Sequence, residues 1–108
     1  MQEMTLRADK WLWYARFFKS RSQAARHIQK GKVRLNRQRI SKASTPLRSG
    51  DVLTFSQGKQ IRIIEIKQLG TRRGPAAEAR TLYFDLVDRA IVGSSAAEGA
   101  LFDGVPAE

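Results

Sequence analysis

Lysine and arginine side chains recur at short spacing in the first half of this chain, and their positive charge is its main means of binding a ligand. Between Arg7 and Lys42 there are 12 lysines and arginines and one acid, Asp9, so this segment carries a net charge of +11. The whole chain carries +10, so the remaining residues sum to −1. Such a concentrated field attracts a polyanion, and phosphate neutralisation by lysine and arginine dominates nucleic-acid affinity. The charge pattern therefore predicts a localised nucleic-acid-binding surface.

Other kinds of chemistry lack the residues that they need. The chain has no cysteine, which rules out disulfides, thiolate metal sites and cysteine nucleophiles. Its one histidine, His27, has no acidic partner close in sequence, so we expect it to pack partly buried rather than to act as a catalyst. A length of 108 residues leaves room for one domain and for no separate catalytic domain. We therefore expect a non-enzymatic protein without metal or cofactor.

The composition also bears on location and on domain limits. No apolar run approaches the roughly 20 residues of a membrane span, and the N-terminus shows no signal-peptide core. A basic chain without cysteine suits the reducing cytoplasm. We expect a cytoplasmic monomer without membrane contact, in which residues 1–92 form the single domain. Residues 93–108, with three acids, no base and many small side chains, are expected to be an acidic flexible tail.

A first helix must position part of the basic set. The apolar spacing of Ala8, Leu12 and Ala15 predicts a helix from about Ala8 to Phe18. Its opposite face carries two cations and two aromatics, namely Lys10, Trp13, Arg16 and Phe17. These side chains either form a platform on which bases stack or pack beneath the later strands, because aromatic surface dominates small cores.

A second helix is predicted from about Arg21 to Lys30. It starts with a capping-box sequence, in which the Ser20 hydroxyl accepts from the Gln23 amide, and Gly31 ends it. Arg21 projects from the helix start, where free backbone amides favour a phosphate.

One face of the second helix is polar and basic. It carries Gln23, Arg26 and Lys30. No acids are interleaved with these cations, which favours a binding face over an ordinary solvated face.

Short strands follow the helices. Residues 32–35 alternate polar and apolar side chains, which predicts a half-buried strand with Lys32 and Arg34 on its wet face. Residues 36–39 indicate a turn in which Asn36 tolerates positive φ, and the return strand begins at Arg39.

The remaining elements complete an α+β fold. Thr45-Pro46 is expected to open a loop, and strands are predicted at residues 52–55 and 61–66, joined through Gln57-Gly58-Lys59. Pro75 suits the first position of a short helix. The predicted fold is therefore two N-terminal helices packed on a small twisted, mostly antiparallel sheet, with a short C-terminal helix.

A second, smaller basic patch lies in the loop before that helix. Arg72 and Arg73 would reach RNA beside the main surface, or they would form a solvated loop tip.

Several of these residues together resemble a known domain. From about Leu6 to Phe55, spacing and residue type resemble the S4 RNA-binding domain, or αL motif. The residues that carry the resemblance are Arg7-x-Asp9-Lys10-x-Leu12, Ser20-Arg21-Ser22-Gln23-Ala24, Ile28, Gly31-x-Val33, Leu35-Asn36 and Gly50-Asp51-Val52. More narrowly, the chain looks like the ribosome-associated fifteen-kilodalton heat-shock protein family at Asp9–Trp13, Ala15–Lys19 and Arg72–Ala76. Arg37 stands where this pattern usually has glycine.

The resemblance implies that the helix pair and the following strand cup structured RNA. Carried over by residue, the RNA surface would be Arg7, Asp9, Lys10, Ser20, Arg21, Gln23, Arg26, Lys32 and Asn36. Lys30 and Arg34 join this set because they share its faces. Asp9 would orient its basic neighbours rather than touch phosphate.

The resemblance also implies partners. Members of the heat-shock family bind RNA and DNA and associate with free large ribosomal subunits that still carry peptidyl-tRNA. The implied partners are ribosomal RNA and the large subunit, with tRNA and DNA as further candidates. That family has a long basic C-terminal extension, whereas this chain ends in acidic residues.

Two rival functions remain open. A DNA-binding regulator would place the second helix in a major groove, although base-reading residues are scarce beside so many cations. A catalytic RNA modifier, such as a pseudouridine synthase, carries this domain as an appendage and needs a further domain for catalysis. The leading hypothesis is a non-catalytic binder of structured RNA on the large subunit, which acts in rescue or recycling of stalled subunits. The broader alternative is a general nucleic-acid-binding protein.

Overall fold

The structure is a computed structural model, and it describes residues 4–87. In chain order its elements are β1 (Leu6–Arg7), α1 (Ala8–Tyr14), α2 (Arg21–Gln29), β2 (Val33–Leu35), β3 (Gln38–Ile40), β4 (Pro46–Leu47), β5 (Val52–Gln57), β6 (Gln60–Ile66), α3 (Ala76–Ala79), a 3₁₀ helix (Arg80–Leu82) and β7 (Tyr83–Asp85). The α+β class with N-terminal helices is confirmed. The predicted domain boundary at residue 92 and the acidic tail of residues 93–108 lie outside the described residues.

Five strands form one antiparallel sheet in the order β3-β2-β5-β6-β7. The register places Val33 of β2 opposite Phe55 of β5, and Leu53 of β5 opposite Ile64 of β6. All four of these side chains are buried, because the apolar positions of neighbouring strands coincide on the face that the helices cover. The predicted strands are therefore confirmed, with some ends shifted by one or two residues, and the sheet is antiparallel throughout the described residues.

The segment around Pro46 differs from its prediction. It was expected to be part of a loop, but β4 pairs antiparallel with β1, with Leu6 opposite Leu47. A strand of two residues is too short to show an alternating pattern, which is why the prediction was wrong.

The core lies between the helices and the sheet. Trp11 and Leu12 of α1 and Ile28 of α2 are fully buried against it. The Trp11 indole N–H donates to the backbone oxygen of Gln68 at 2.9 Å, so the largest core side chain has its one polar atom satisfied. Truncating a buried tryptophan to alanine typically costs about 3–5 kcal/mol, so this residue is a principal anchor of α1.

Helix α1 ends four residues earlier than predicted. It stops at Tyr14 because Arg16 adopts a positive φ of 65°. The Arg16 amide donates to the Trp13 oxygen and the Phe17 amide to the Leu12 oxygen, each at 3.1 Å, which is a Schellman ending. The expected end at Phe18 was wrong because glycine, the usual residue at this position, is absent.

The early end of α1 turns Phe17 into the core. Its ring lies 5.2 Å from that of Phe55 and 4.7 Å from that of Tyr83, measured between centroids. Phe17 therefore packs beneath the strands, and the alternative of a stacking platform does not apply to it. Trp13 stays half-buried, with its ring 5.9 Å from that of Tyr14.

Helix α2 follows its sequence signals. The Ser20 hydroxyl accepts from the Gln23 amide at 3.1 Å, as predicted. The helix ends at Gln29, one residue before the predicted end, and Gly31 has φ of 74° with its amide donating to the Ile28 oxygen at 2.9 Å. This is the same Schellman ending, here with the glycine that makes it predictable.

A two-residue turn joins β2 to β3, shorter than the predicted turn of residues 36–39, and β3 begins at Gln38 rather than at Arg39. Asn36 and Arg37 have φ of 49° and 78°, as a type I′ turn requires at both central positions. A side chain with a Cβ disfavours the second of these values, so Arg37 occupies a strained position that glycine would suit.

The C-terminal part of the described chain follows β6. Pro75 precedes α3 as its N-cap rather than standing at the first helical position, a shift of one residue from the prediction. The strand β7 then pairs with β6 and closes the sheet on that side.

Candidate nucleic-acid interface

Asp9 is the centre of the predicted surface. Its side chain is nearly buried, and its carboxylate accepts from Arg7 at 3.1 and 3.2 Å and from Arg21 Nε at 3.4 Å. The two arginine side chains remain 49% and 42% exposed. A buried acid thus orients two exposed guanidinium groups, as expected, and their remaining N–H groups are accessible to a phosphate. We call these three residues the Arg7–Asp9–Arg21 cluster.

Backbone contacts fix the start of α1. The amides of Ala8 and Asp9 donate to the oxygens of Thr45 and Ala43, at 2.9 and 3.2 Å. These bonds satisfy two of the donors that a helix start leaves unpaired, in the absence of a side-chain cap at Arg7. The β1–β4 pair and this cap hold Asp9 in place, so the cluster rests on a rigid base.

The predicted residues of α2 lie on an exposed face. Gln23, Arg26 and Lys30 are exposed, and Arg21 joins this face to the Arg7–Asp9–Arg21 cluster. The Ser20 hydroxyl caps α2 by accepting from the backbone N–H of Gln23, so Ser20 helps to fix the position of the neighbouring Arg21.

The remaining predicted residues have mixed environments. Lys32 is exposed beyond α2, and Arg34 Nη1 donates to the Arg37 oxygen at 3.1 Å. The side-chain amide of Asn36 donates from Nδ2 to the Asp51 carboxylate at 3.1 Å. Its Oδ1 accepts from the backbone N–H of Val52 at 2.9 Å, so the Asn36 side chain ties the turn to β5.

Lys10 is partly buried. Its Nζ lies 5.7 Å from the Tyr14 ring centroid.

The structure brings Lys32 and Arg34 to the rim of an open groove. This groove has a volume of about 230 Å³, and the hydroxyl-bearing residues Thr54 and Ser56 also line it. It continues the basic surface from the end of α2 onto the sheet.

His27 is a packing residue, as expected. Its Nε2 lies 2.7 Å from the Ser56 oxygen, and its ring packs on Phe18 at 5.2 Å. The pKa of His27 lies below its usual value of 6.5, chiefly because burial disfavours the charged ring. The hydrogen bond to Ser56 raises the pKa, whereas the nearby charges of Lys32 and Lys30 lower it.

The predicted second patch is engaged with the protein itself. Arg72 pairs with Glu78 through bonds of 2.6 and 3.1 Å. Arg73 Nε donates to the Trp13 oxygen at 3.1 Å, and its guanidinium lies 5.7 Å from the Trp13 ring centroid. Arg73 therefore binds the end of α1, and an RNA contact by this pair stays a prediction.

A further group of three arginines forms only in the folded chain, and the sequence marks Arg16 alone among them, as a cation on one face of the first helix. Arg16, Arg62 and Arg80 line one groove of about 210 Å³. They lie far apart in the chain and on different elements, so no local pattern groups them, and only the fold brings them together.

Residues 4–87 contain neither a cluster of metal-ligating side chains nor a membrane-spanning helix. No group of three or more acids and histidines there is arranged to hold a metal ion. None of the helices in this range has the length and apolarity that crossing a bilayer requires.

Comparison with known proteins gives a consistent result. The S4 domain model matches residues 6–53, the segment that holds the Arg7–Asp9–Arg21 cluster. The heat shock protein 15 homolog of Haemophilus influenzae is 45% identical over 83 residues, which are 77% of this chain and 63% of that protein. Heat shock protein 15 of Escherichia coli K12 is 45% identical over 78 residues, or 72% of this chain and 58% of that protein. The chain thus spans about three fifths of the length of these curated relatives.

A solved structure is similar as well. The trimeric structure of Vibrio cholerae heat shock protein 15 at 2.3 Å resolution matches with a TM-score of 0.72 and 40% identity, over 76% of this chain and 82% of that one. The two chains are therefore similar in sequence as well as in fold. The chain therefore belongs to the heat shock protein 15 family and carries an S4 domain.

Proposed function

We propose that this chain is a non-catalytic, cytoplasmic binder of structured RNA. The observation that carries the proposal is the Arg7–Asp9–Arg21 cluster, in which one nearly buried acid orients two half-exposed guanidinium groups. Such paired donors suit the oxygens of a phosphate, and rigid placement reduces the entropy lost on binding. The cluster lies within the segment of net charge +11, so long-range attraction and short-range contacts act together.

The RNA that we propose is ribosomal RNA of the large subunit, with the protein acting in rescue or recycling of stalled subunits that carry peptidyl-tRNA. Membership of the heat shock protein 15 family supports this choice. The chain spans only part of its curated relatives, so the assignment is tested directly by cosedimentation. We expect pelleting with free large subunits, strongest when they carry peptidyl-tRNA. Equal pelleting with small subunits would contradict it.

RNA binding itself is tested by the salt dependence of affinity. Fluorescence anisotropy with a labelled RNA hairpin, and with a DNA hairpin of the same sequence, gives the binding constant over a range of salt. If about six phosphates are neutralised, the slope of log K against log salt is roughly −4 to −5. A slope shallower than about −2 would remove the basic surface as the main source of affinity.

The same titrations test selectivity and assembly. Tighter binding of the DNA hairpin would favour a DNA-binding function instead. We propose that residues 1–92 suffice for binding and that the bound species is a monomer. Light scattering of the complex tests the latter, since the Vibrio cholerae relative is described as trimeric.

A further inference from the structure

The groove of about 210 Å³ lies between the end of α1, strand β6 and α3. Three arginines line it: Arg16 after α1, Arg62 on β6 and Arg80 after α3. Tyr83 and Phe17 supply part of the apolar wall, and Gln57 adds an amide. The groove therefore combines several cationic donors with a small apolar surface, at the end of α1 opposite to the Arg7–Asp9–Arg21 cluster.

Two of the three arginines keep an uncompensated charge among the described residues. Arg62 pairs with Asp85 at 2.8 Å, but Arg16 Nε donates to a neutral acceptor, the Gly74 oxygen, at 2.6 Å. Arg80 is exposed and makes no ion pair or side-chain hydrogen bond within residues 4–87. Like charges gathered at one groove repel each other, and an anion between them would remove that cost.

Two of the guanidinium groups are held in place before any ligand arrives. Arg62 lies over the Phe17 ring, 5.1 Å from its centroid, while it is paired with Asp85. The Arg16 guanidinium is held by its hydrogen bond to the Gly74 oxygen, and its backbone is fixed by the Schellman ending of α1 at a φ of 65°. Preorganised donors lose less freedom on binding, and planar guanidinium groups match the geometry of phosphate oxygens.

We infer that this groove binds a backbone phosphate of the same RNA, as a second contact beyond the Arg7–Asp9–Arg21 cluster. The inference rests on the proposed function. Helix α1 spans only about 10 Å, so one RNA molecule reaches both of its ends. The groove is smaller than the roughly 300–1,000 Å³ of pockets for drug-sized ligands, and it suits a phosphate with part of its ribose.

Two substitutions test the inference without disturbing the core. Arg16→Gly removes one guanidinium and places glycine where the backbone favours it, so folding is retained. Arg80→Ala removes an exposed side chain. Lys67→Ala is the matched control, because it removes one exposed charge just beyond the far end of β6 from Arg62. Each variant is titrated with the labelled RNA hairpin over a range of salt, and thermal melting checks its fold.

The expected result is specific to the groove. Arg16→Gly and Arg80→Ala weaken RNA binding more than Lys67→Ala does. The double variant makes the slope of log K against log salt shallower by about 0.7–0.9, which is the loss of one phosphate contact. Lys67→Ala leaves the slope unchanged.

Other outcomes separate the inference from the proposed function. If Arg21→Ala weakens binding but the groove variants match Lys67→Ala, the groove is not a phosphate site and the proposed function stands. If the double variant loses binding to a labelled polyglutamate peptide with RNA affinity unchanged, the groove serves an acidic protein segment and the inference is overturned. If the unsubstituted chain does not bind the hairpin, both fall.

Discussion

The carboxylate of Asp9 lies 3.4 Å from Nε of Arg21, which joins the first turn of α1 to the first turn of α2. The same carboxylate also binds Arg7, so one acid sets the spacing of two cations from different elements. Because Asp9 is 3% exposed, a phosphate that approached this surface would meet the arginines and not the acid. The negative charge therefore serves a basic surface by ordering it.

This arrangement predicts that Asp9→Asn weakens RNA binding although it makes the chain more positive. The neutral amide no longer orders both guanidinium groups, and the loss of charge-assisted hydrogen bonds lowers the unfolding free energy by about 1–3 kcal/mol. Anisotropy titrations and thermal melting measure the two effects. Glu65→Gln on β6 is the matched control, because it changes the net charge equally and lies outside the cluster. Tighter RNA binding by both variants would mean that the charge acts only as a diffuse field.

Arg21→Ala is expected to weaken RNA binding by about 1.5–3 kcal/mol, which is the usual contribution of a charge-assisted hydrogen bond. The melting temperature should change little, because the Arg21 side chain is 42% exposed and Asp9 keeps its bonds to Arg7. Arg48→Ala and Lys59→Ala remove the same charge from exposed positions elsewhere. Equal losses from all three substitutions would contradict the placement of the site.

Arg37→Gly should stabilise the fold by about 1 kcal/mol, because glycine accepts the positive φ of the type I′ turn. For a domain of this size that is a rise in melting temperature of roughly 4–8 °C. The backbone oxygen of Arg37, which accepts from Arg34, is retained in the variant. Asn36→Gly is the contrasting variant. It should destabilise the fold, because it removes the amide that bonds Asp51 and Val52.

His27 should make stability depend on pH in the weakly acidic range. Burial lowers its pKa in the folded state below the ordinary 6.5, so the unfolded chain binds more protons as the pH falls. Its contribution to stability is therefore fully present above pH 6.5 and is lost as the pH falls toward the folded-state pKa. Melting temperatures of the original chain and of His27→Gln, measured across this range, should converge or cross at low pH. Parallel curves would show that His27 is not responsible.

Local signals predict some of these elements and miss others. Ser20 and Gly31 delimit α2 because their capping chemistry is local, and the alternation around Val33 predicts β2. The end of α1 was missed because Arg16 takes the backbone conformation that glycine would signal. In the site, the charge pattern locates the basic segment, but Arg16, Arg62 and Arg80 meet only through contacts distant in sequence, which no local pattern records.

The bond from the Trp11 indole to the Gln68 oxygen has a consequence for modularity. The S4 match ends at residue 53, yet Trp11 inside it is anchored to a carbonyl outside it, and Ile66 and Leu82 are buried in the same core. Strand β5 likewise has β6 as its neighbour along its whole length. Residues 6–53 of this chain therefore depend on the residues that follow them. A fragment that ended at residue 53 would leave Trp11 without its acceptor and would lack the strands that complete the sheet. The basic surface and the C-terminal strands should protect their amides from exchange together and melt as a single cooperative unit.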